Sequence, residues 1–467
     1  MSKNQHQLFE KVEITAAAAE GKALARVDNR VIFVSNAVPG DIADIRITRK
    51  QKNFFEGIAE KFHHYSDKRT EPVCIHFGTC GGCKWQHLDY QWQLHYKRQQ
   101  VIDALTRIGK VQFPEVPPVI GSKEIYNYRN RLDFSFSNKR WLTQEEISSG
   151  IQDIERNALG FHIPGTFDKV LDLRECHLQG KVSEAIRSFV REFAASHNLS
   201  FYDIRNQTGL LRSLIIRTTS TGETMVIILF RDDDEIAREK LLDALANKFP
   251  SITSLLYVIN QKGNDTFNDL PVHVFYGRDH IIESMENLRF KIGPKSFYQT
   301  NSAQAYELYK VTRDFAGLTG NEIVYDLYTG TGTIALFVAK QAKKIIGIEL
   351  VEAAIADAKL NADMNNITNA GFFASDMKDL FDEKFMQQHG KPDVIITDPP
   401  RTGMHEKVVN AIATSGAKKV VYVSCNPASQ ARDLAMLDAD YAITKVQPVD
   451  MFPQTHHVEN VVLLEKK

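Results

Sequence analysis

Short apolar runs alternate with turn-forming residues in the first part of the chain, residues 8–62. The runs are rich in Val, Ile and Phe, and EGK, DNR and VPGD segments separate them as turns do. Several short strands at this spacing are typical of a small barrel, and barrels of the OB type commonly bind oligonucleotides. Basic residues and phenylalanines lie together near its end: Arg46, Arg49, Lys50, Lys52, Phe54 and Phe55. This mixture suits the stacking of single-stranded bases, although an ordinary barrel core would use the same phenylalanines.

The hydrophobic pattern changes twice further along the chain. Residues 120–285 mix strands and helices, and two strand-rich segments at 128–137 and 211–230 predict an antiparallel sheet. From about residue 290 the pattern becomes strand, glycine turn, helix and strand, which favours a parallel sheet covered by helices. We therefore predict an α/β multi-domain protein, since its length suggests roughly three domains. The predicted domains are 1–65, 66–285 and 286–467.

Composition and charge narrow the class of protein. With 43% hydrophobic and 25% charged residues, the 467-residue chain resembles a soluble globular protein and has no bilayer-spanning run. The N-terminus lacks the apolar core of a secretory signal, and five cysteines are few, so a cytoplasmic location is expected. Residues 1–140 carry 22 basic and 15 acidic side chains, whereas the remainder carries 35 and 43. A basic N-terminal region that binds a polyanion, joined to an acidic catalytic region, would show this asymmetry. A chance fluctuation of surface charge explains it equally well.

Three cysteines follow the predicted barrel with the spacing C-x5-C-x2-C, at Cys74, Cys80 and Cys83. Two glycines fill the short gap and let the backbone fold tightly around a metal, and thiolates are the ligands that soft metals prefer. Cys176 is the plausible fourth sulfur, because Cys425 has another candidate role. Spacing alone leaves zinc and an iron–sulfur cluster open. Three histidines could substitute as ligands: His76, His87 and His177.

The segment NEIVYDLYTGTGTIALFVAK indicates a nucleotide-binding turn. An apolar run leads to Asp326, and Gly330 and Gly332 then open a turn before a helix, whose N-terminus offers free N–H groups. Glu349 closes the next strand, where a carboxylate can accept both ribose hydroxyls. The same glycines also fit the dinucleotide fingerprint G-x-G-x-x-A, so this motif does not separate an NAD enzyme from an S-adenosylmethionine enzyme.

Two later strand ends carry further candidate chemistry. Asp398 follows one apolar strand in DPPR, and Cys425 ends another in SCNP. Ligands of parallel sheets bind outside the carboxyl ends of strands, so Glu349, Asp398 and Cys425 should face one crevice. A buried core position is the commoner fate of a cysteine, but the Asn-Pro pair after Cys425 indicates a loop, which suits a nucleophile.

These segments together resemble a known family, the RNA (uracil-5-)-methyltransferases that use S-adenosylmethionine. The resemblance is strongest to the branch that modifies 23S ribosomal RNA and contains an iron–sulfur cluster. EGKALARVDNRVIFVSNAVPGD is similar to a TRAM domain, an OB-like RNA-binding barrel, and CIHFGTCGGCKWQ is similar to the family's central domain. KSFYQTN, DLYTGTGTI, DPPRTGM, SCNPASQARD and MFPQTHHVENVVLL are similar to its Rossmann-like catalytic domain.

The resemblance implies a role for each matched residue. Cys425 would be the nucleophile, and Glu459 in HHVENV would be the catalytic base. Contacts to S-adenosylmethionine would come from Gln299, Tyr328, Thr333, Glu349, Asp376 and Asp398. The resemblance also implies a 4Fe-4S cluster held by Cys74, Cys80, Cys83 and Cys176. Many relatives have a cysteine and an asparagine where this chain has Thr329 and Thr333, so any contact at Thr333 would come from its hydroxyl.

The implied chemistry explains why these residue types are needed. A thiolate that attacks C6 of uracil makes C5 enolate-like and able to take a methyl group from a sulfonium. The C5 proton must then leave before the thiolate is expelled, and Glu459 would remove it. The target base must be extruded, which is easiest in single-stranded loops, and Phe54, Phe55 or Trp85 could stack on flanking bases.

We therefore predict an S-adenosylmethionine-dependent 23S ribosomal RNA (uracil-5-)-methyltransferase that binds RNA and needs no membrane and no obligate protein partner. One alternative is the same reaction on the T-loop of tRNA. Another is an NAD(P)-linked iron–sulfur oxidoreductase, which explains the glycine turn and the cysteines but leaves DPPR, SCNP and Glu459 without a role. A non-catalytic RNA-binding protein would have no use for Cys425 and Glu459.

Overall fold

The N-terminal region of the computed structural model, which describes residues 7–151 and 154–467, is a closed barrel. Its strands are β1 (Leu8–Ala17), β2 (Ala23–Val27), β3 (Arg30–Ser35), β4 (Ile42–Lys50) and β5 (Phe54–His64). They pair in the order β1-β2-β3-β5-β4, and β4 returns to β1. Alternate residues such as Ile32 and Val34 point into the apolar core, as the short alternating runs require. The barrel predicted from the sequence is confirmed.

A helix and a mixed sheet form the middle of the chain. Helix α1 (Tyr90–Asp103) continues into a π-helical turn at Ala104–Gly109. The sheet strands are β6 (Arg131–Ser137), β7 (Ala158–His162), β8 (Val170–Asp172), β9 (Leu211–Thr218), β10 (Thr224–Phe230), β11 (Ser254–Ile259) and β12 (His273–Gly277). The helices that accompany them are α2 (Gln144–Ser148), α3 (Lys181–Ser196) and α4 (Glu235–Lys248). The sheet is antiparallel as expected except for β10 and β11, which run parallel because α4 connects them as a crossover.

A second sheet, mainly parallel, forms the C-terminal part. It follows the hairpin of β13 (Ile281–Met285) and β14 (Leu288–Ile292). Its strands are β15 (Ile323–Leu327), β16 (Lys344–Glu349), β17 (Ala370–Ala374), β18 (Val394–Thr397), β19 (Lys419–Ser424), β20 (Tyr441–Val449) and β21 (Glu459–Lys466). The order is β17-β16-β15-β18-β19-β21-β20, and β21 runs antiparallel to both of its neighbours.

Helices cover both faces of this C-terminal sheet, as the sequence pattern predicts. They are α5 (Ser302–Ala316), α6 (Thr333–Val338), α7 (Glu352–Met364), α8 (Met377–Leu380), α9 (Glu383–His389), α10 (Glu406–Thr414) and α11 (Pro427–Leu437). Covered strands are buried on both sides, which explains why β18 is an uninterrupted buried run. Among the described helices, none is long and apolar enough to cross a membrane.

Helix α1 packs on the C-terminal sheet although it precedes the central sheet in the chain. Val101, Ala104 and Leu105 share one apolar core with Leu434 of α11. The contact is close at Gly109, where an added Cβ would lie 3.0 Å from the carbonyl oxygen of Ala431. The central part of the chain therefore holds the C-terminal part through α1 as well as through its sheet.

Candidate active site at the carboxyl edge of the C-terminal sheet

Two carboxylates from neighbouring strands hold the glycine turn after β15. Asp326 accepts hydrogen bonds from the Thr329 hydroxyl (2.6 Å) and from the backbone N–H of Ala335 (3.1 Å). Glu349, at the end of β16, accepts one from the backbone N–H of Gly330 (3.2 Å). Gly330 has a φ of 54°, and nothing lies within 4 Å of the position that a Cβ would occupy. The turn is therefore fixed from behind and open on the side where a ligand would approach.

Tyr328 and Asp376 lie at the same edge of the sheet. Tyr328 has a φ of 64°, a strained backbone conformation of the kind that concentrates at functional sites. Burial raises the pKa of its phenol to about 12, and the nearby carboxylates of Asp433, Asp376 and Glu349 act in the same direction. Asp376 follows β17 and caps α8, and its hydrogen bond with the Lys378 side chain lowers the pKa of its carboxyl group. The structure thus brings Tyr328, Glu349 and Asp376 together.

Gln299 and Thr333 approach the glycine turn through α5 and α6. The Thr331 hydroxyl donates to the carbonyl oxygen of Phe297 (3.4 Å), which ties the loop that carries Gln299 to the turn. Thr333 is the first residue of α6, and its hydroxyl lies 3.1 Å from the Tyr309 hydroxyl of α5. Five of the six residues that the sequence assigned to the cofactor therefore lie around the glycine turn, and the sixth, Asp398, directly follows β18.

Cys425 lies opposite Glu459 at the ends of two antiparallel strands. Strand β19 ends at Ser424, β21 begins at Glu459, and Ser424 pairs with Asn460. One further step in the same register brings Cys425 opposite Glu459. The two side chains therefore extend from adjoining strand ends, and the Glu459 carboxyl group raises the pKa of the Cys425 thiol.

The DPPR turn after β18 is fastened to the loop that carries Cys425. The Asn426 side-chain amide and the Ser429 hydroxyl both donate to the carbonyl oxygen of Arg401, at 2.9 and 3.0 Å. Asn426 also caps α11, which begins at the following proline, so only Cys425 and Asn426 lie between the end of β19 and this helix. Asp398 and Arg401 are thereby held beside Cys425.

The surroundings of Cys425, Glu459 and Asp398 favour the protonated forms of these three side chains. Burial, together with the nearby Glu459 and Asp398, raises the pKa of the Cys425 thiol to about 11 against the opposing effect of Arg401. Burial also raises the pKa of Glu459, and the neighbouring Asp398 acts in the same direction. The pKa of Asp398 is raised by burial and by Asp326. A thiol and carboxyl groups with raised pKa values in one crevice are typical of a site that exchanges protons near neutral pH.

Sequence reasoning gave no role to three residues of this crevice. Arg401 is the cation that opposes the acidic groups around Cys425, and its place directly after DPP was the available signal. Asp326 holds the glycine turn through its hydrogen bonds, and burial raises the pKa of its carboxyl group to about 7. The sequence shows it only as a residue before the turn. Tyr309 lies within a helix that shows only an ordinary amphipathic pattern, which offers no signal in the sequence.

The raised pKa of Cys425 predicts slow alkylation. Iodoacetamide reacts with the thiolate, and a pKa near 11 instead of 8.5 leaves about 10²-fold less thiolate at neutral pH. The Glu459→Gln variant should shift the alkylation profile to lower pH, because a carboxylate no longer opposes thiolate formation. Mass spectrometry of the peptide that contains Cys425, with Cys425→Ala as the blank, measures the profile. A midpoint near 8.5 in the unaltered protein would contradict the electrostatic description.

Four partly buried thiols line a separate cavity in the central part of the chain. They belong to Cys74, Cys80, Cys83 and Cys176. Burial raises the pKa of Cys83 to about 12 and that of Cys176 to about 11, so thiolates here would need a cation beside them. His76 also lines the cavity, but its Nε2 atom accepts a hydrogen bond from the backbone N–H of Arg174 (3.0 Å). Within the described residues, no group of three or more His, Cys, Asp or Glu side chains is arranged to hold a metal ion.

Comparison with known proteins decides the family. The family profile of the tRNA (uracil-5-)-methyltransferases matches residues 217–467, and that of the TRAM domain matches residues 10–59. An uncharacterized RNA methyltransferase of Bacteroides thetaiotaomicron is 59% identical over 96% of this chain and 99% of its own. The chain belongs to the RNA (uracil-5-)-methyltransferase family. Its barrel is a TRAM domain, and its C-terminal region has the S-adenosylmethionine-dependent methyltransferase fold.

Two further relatives extend this similarity over nearly the whole methyltransferase. An uncharacterized RNA methyltransferase of Chlorobaculum tepidum is 38% identical over 97% of this chain and 95% of its own. The solved structure of Pyrococcus abyssi tRNA (uracil-54, C5)-methyltransferase in complex with S-adenosyl-L-homocysteine is 27% identical, with a TM-score of 0.74. That match covers 97% of this chain and 100% of the other. The glycine turn is therefore that of an S-adenosylmethionine-dependent methyltransferase, and not that of an NAD(P)-linked oxidoreductase.

Proposed function

We propose that this methyltransferase methylates C5 of a uridine in 23S ribosomal RNA, with Cys425 as the nucleophile and Glu459 as the general base. The observation that carries this proposal is the strand register that leaves Cys425 opposite Glu459, with Asp398 beside them. A nucleophile and a base need to reach adjacent atoms of one ring, C6 and C5, and two opposed side chains meet that need.

Each residue has a defined task in the proposed reaction. Cys425 releases its thiol proton to solvent, and its sulfur bonds to C6 of the extruded uracil while the electrons of the 5,6 double bond become available at C5. S-adenosylmethionine, when bound, supplies the methyl group from its sulfonium. Glu459 then removes the C5 proton, the 5,6 double bond re-forms, and the sulfur of Cys425 leaves C6. The residues proposed to bind S-adenosylmethionine are Gln299, Tyr328, Thr333, Glu349, Asp376 and Asp398.

We further propose that the RNA enters through a cleft between the central sheet and the C-terminal part. The cleft has a volume of about 690 Å³, and its lining includes Arg129, Arg131 and Phe297. Phe297 is 67% exposed and lies two residues before Gln299, so a base stacked on it would be close to the cofactor loop. Cations beside an exposed aromatic ring suit a nucleic acid strand with an unstacked base.

The stacking residues expected from the sequence are wrong for the most part. Trp85 is 4% exposed and Phe55 6% exposed, so neither ring is free to stack on RNA. Phe54 packs edge-to-face on Phe33 within the barrel, with 5.2 Å between the ring centroids. The basic end of the barrel uses its aromatic rings to pack its own strands.

The cysteine cavity is proposed to hold a 4Fe-4S cluster. All four thiols line it, and they are not gathered around one point as a single zinc ion requires. Four cysteine thiols are a donor set that a 4Fe-4S cluster uses, and the resemblance to the iron–sulfur-containing branch of the family favours a cluster over zinc. The fold of the central part would depend on it.

The iron–sulfur proposal predicts a specific metal content. Protein purified without oxygen should contain iron and acid-labile sulfide in equal amounts and show the broad absorption of a cluster. Replacing Cys176 with serine should lower both contents and the melting temperature, whereas Cys425→Ser, which keeps the cavity intact, should leave them unchanged. Stoichiometric zinc in place of iron would contradict the proposal.

The proposal that the substrate is 23S ribosomal RNA is supported by the combination of a TRAM barrel with four cysteines. This combination resembles the branch of the family that modifies 23S ribosomal RNA. A second candidate is tRNA, favoured by the similarity to the Pyrococcus abyssi tRNA (uracil-54, C5)-methyltransferase. Mapping 5-methyluridine in total RNA from cells with and without this protein separates the two. Loss of a site in 23S ribosomal RNA supports the proposal, and loss confined to the tRNA T-loop supports the alternative. Unchanged RNA in both pools would contradict both.

We propose the same three functional units as the sequence predicts: residues 1–65 for RNA binding, 66–285 for the cluster, and 286–467 for catalysis. The closed barrel, the mixed sheet and the C-terminal sheet support this division. Helix α1 belongs to the second unit in the chain but packs on the third, so the units are not independent.

A further inference from the structure

The loop 450–458 joins β20 to β21 and leads directly into Glu459, and groups from outside the C-terminal sheet hold its backbone. Successive carbonyl oxygens accept hydrogen bonds from other segments of the chain. The donors are Gln304 Nε2 to Asp450 (2.9 Å), Asn301 Nδ2 to Met451 (3.0 Å), Lys97 Nζ to Phe452 (3.0 Å), the Tyr128 hydroxyl to Pro453 (3.0 Å), and the backbone N–H groups of Lys84 (2.8 Å) and Trp85 (3.0 Å) to Gln454. The loop itself supplies one further donor, the Thr455 hydroxyl to Phe452 (2.8 Å), so its conformation is set mainly by its surroundings.

One face of helix α1 supplies the side chains that bind the side chains of this loop. Tyr90, Gln93 and Lys97 follow one another at intervals of three and four residues, which brings them to the same side of a helix. The Tyr90 hydroxyl donates to Asp450 (2.8 Å), and Lys97 Nζ lies 2.5 Å from the other carboxylate oxygen of Asp450. Gln93 and Gln454 exchange two hydrogen bonds, at 3.0 and 2.9 Å.

The Lys97–Asp450 pair is fully enclosed. Both side chains are 0% exposed, and Asp450 also accepts a hydrogen bond from the backbone N–H of Phe452 (3.0 Å). Removing two charges from water costs about as much free energy as their attraction returns, so a buried ion pair is weak support for stability. The ion pair instead fixes the position of the loop, because the Asp450 carboxylate must keep one arrangement to accept hydrogen bonds from all of its donors.

We propose that Lys97 and Asp450 are positioning residues for Glu459. By fixing the start of the loop to α1, the pair sets where β21 begins and thus where the Glu459 carboxyl group meets C5 of the uracil. Cys425 has a separate anchor, since the Asn426 and Ser429 side chains fasten its loop to Arg401. Loss of the pair should therefore slow proton removal more than attack at C6, an inference that rests on the proposed roles of Glu459 and Cys425.

The test uses a double variant, Lys97→Gln with Asp450→Asn, which removes both charges and leaves no buried ion without a partner. On RNA with ordinary uridine, its turnover should fall by about 10²-fold, as expected for a misplaced catalytic group. The methylated covalent adduct should accumulate, because the C5 proton leaves slowly. On 5-fluorouridine RNA, where fluorine blocks that step in any case, the adduct should form at nearly the unaltered rate.

Two reference variants make the result decisive. Gln99→Ala, on the exposed side of the same helix, should turn over normally. Glu459→Gln should accumulate the same adduct. Suppose that Glu459→Gln accumulates the adduct, whereas the double variant forms and releases it at the same rates as the unaltered protein. The positioning role is then wrong, and the proposed function stands. A double variant that slows adduct formation and release equally would mark the pair as merely structural and overturn the inference. Failure of Glu459→Gln to accumulate adduct would remove the role of Glu459 and this inference with it.

Discussion

Replacing Cys425 with alanine is expected to abolish methyl transfer while leaving the binding of RNA and S-adenosylmethionine nearly unchanged. Without the sulfur no bond forms at C6, and C5 keeps the weak nucleophilicity of the intact ring. Loss of a covalent nucleophile typically lowers kcat by at least about 10⁴-fold. The side chain is only partly buried at a strand end, so the fold should tolerate its truncation. Incorporation of a labelled methyl group into RNA measures the activity.

The covalent step can be observed separately on RNA that contains 5-fluorouridine. The unaltered protein should form an adduct that survives denaturation, because fluorine cannot leave as a proton does. Cys425→Ala should form none, and Cys425→Ser, with a poorer nucleophile, should form little or none. Cys176→Ser provides a matched thiol replacement away from the crevice and should still form the adduct once it folds. An adduct with Cys425→Ala would show that another residue attacks the base.

The layers of the fold were predictable because burial imposes periodicity on the sequence. The barrel strands alternate between core and solvent, and the strands of the parallel sheet are continuous apolar runs, as at β18 and β19. Parallel strands end at one edge, so the common position of Glu349, Asp398 and Cys425 also followed from the sequence. The antiparallel direction of β21 could not be predicted, because the apolar residues of a strand do not indicate in which direction it pairs with its neighbours.

The remaining features depend on contacts between distant segments. Trp85 looks like a stacking residue in a basic region, but its indole N–H donates to the carbonyl oxygen of Gly21 (3.2 Å) inside the protein. Lys97 looks like part of a solvated helix face, yet it lies 2.5 Å from Asp450, more than three hundred positions further along the chain. A lysine reads the same in the sequence whether it is exposed or paired, so only the folded structure distinguishes the two.

Replacing Glu459 with glutamine is expected to trap the reaction after methyl transfer. Glutamine keeps the shape of the side chain but cannot accept the C5 proton, so the methylated adduct should accumulate and turnover should fall by about 10²- to 10⁴-fold. Denaturing electrophoresis with labelled methyl groups detects the adduct, and Glu465→Gln, near the far end of the same strand, should behave normally.

The same substitution makes a prediction about stability that separates lost chemistry from misfolding. The pKa of Glu459 is raised in the folded protein by burial and by Asp398. A carboxyl group with a raised pKa destabilises the fold as pH rises above its unfolded value, because the folded state resists losing the proton. Glu459→Gln should therefore melt at an equal or higher temperature than the unaltered protein at neutral and alkaline pH, and the difference should vanish in acid. Low turnover in a more stable protein, with the adduct accumulated, would assign proton removal to Glu459, whereas normal turnover would refute that role.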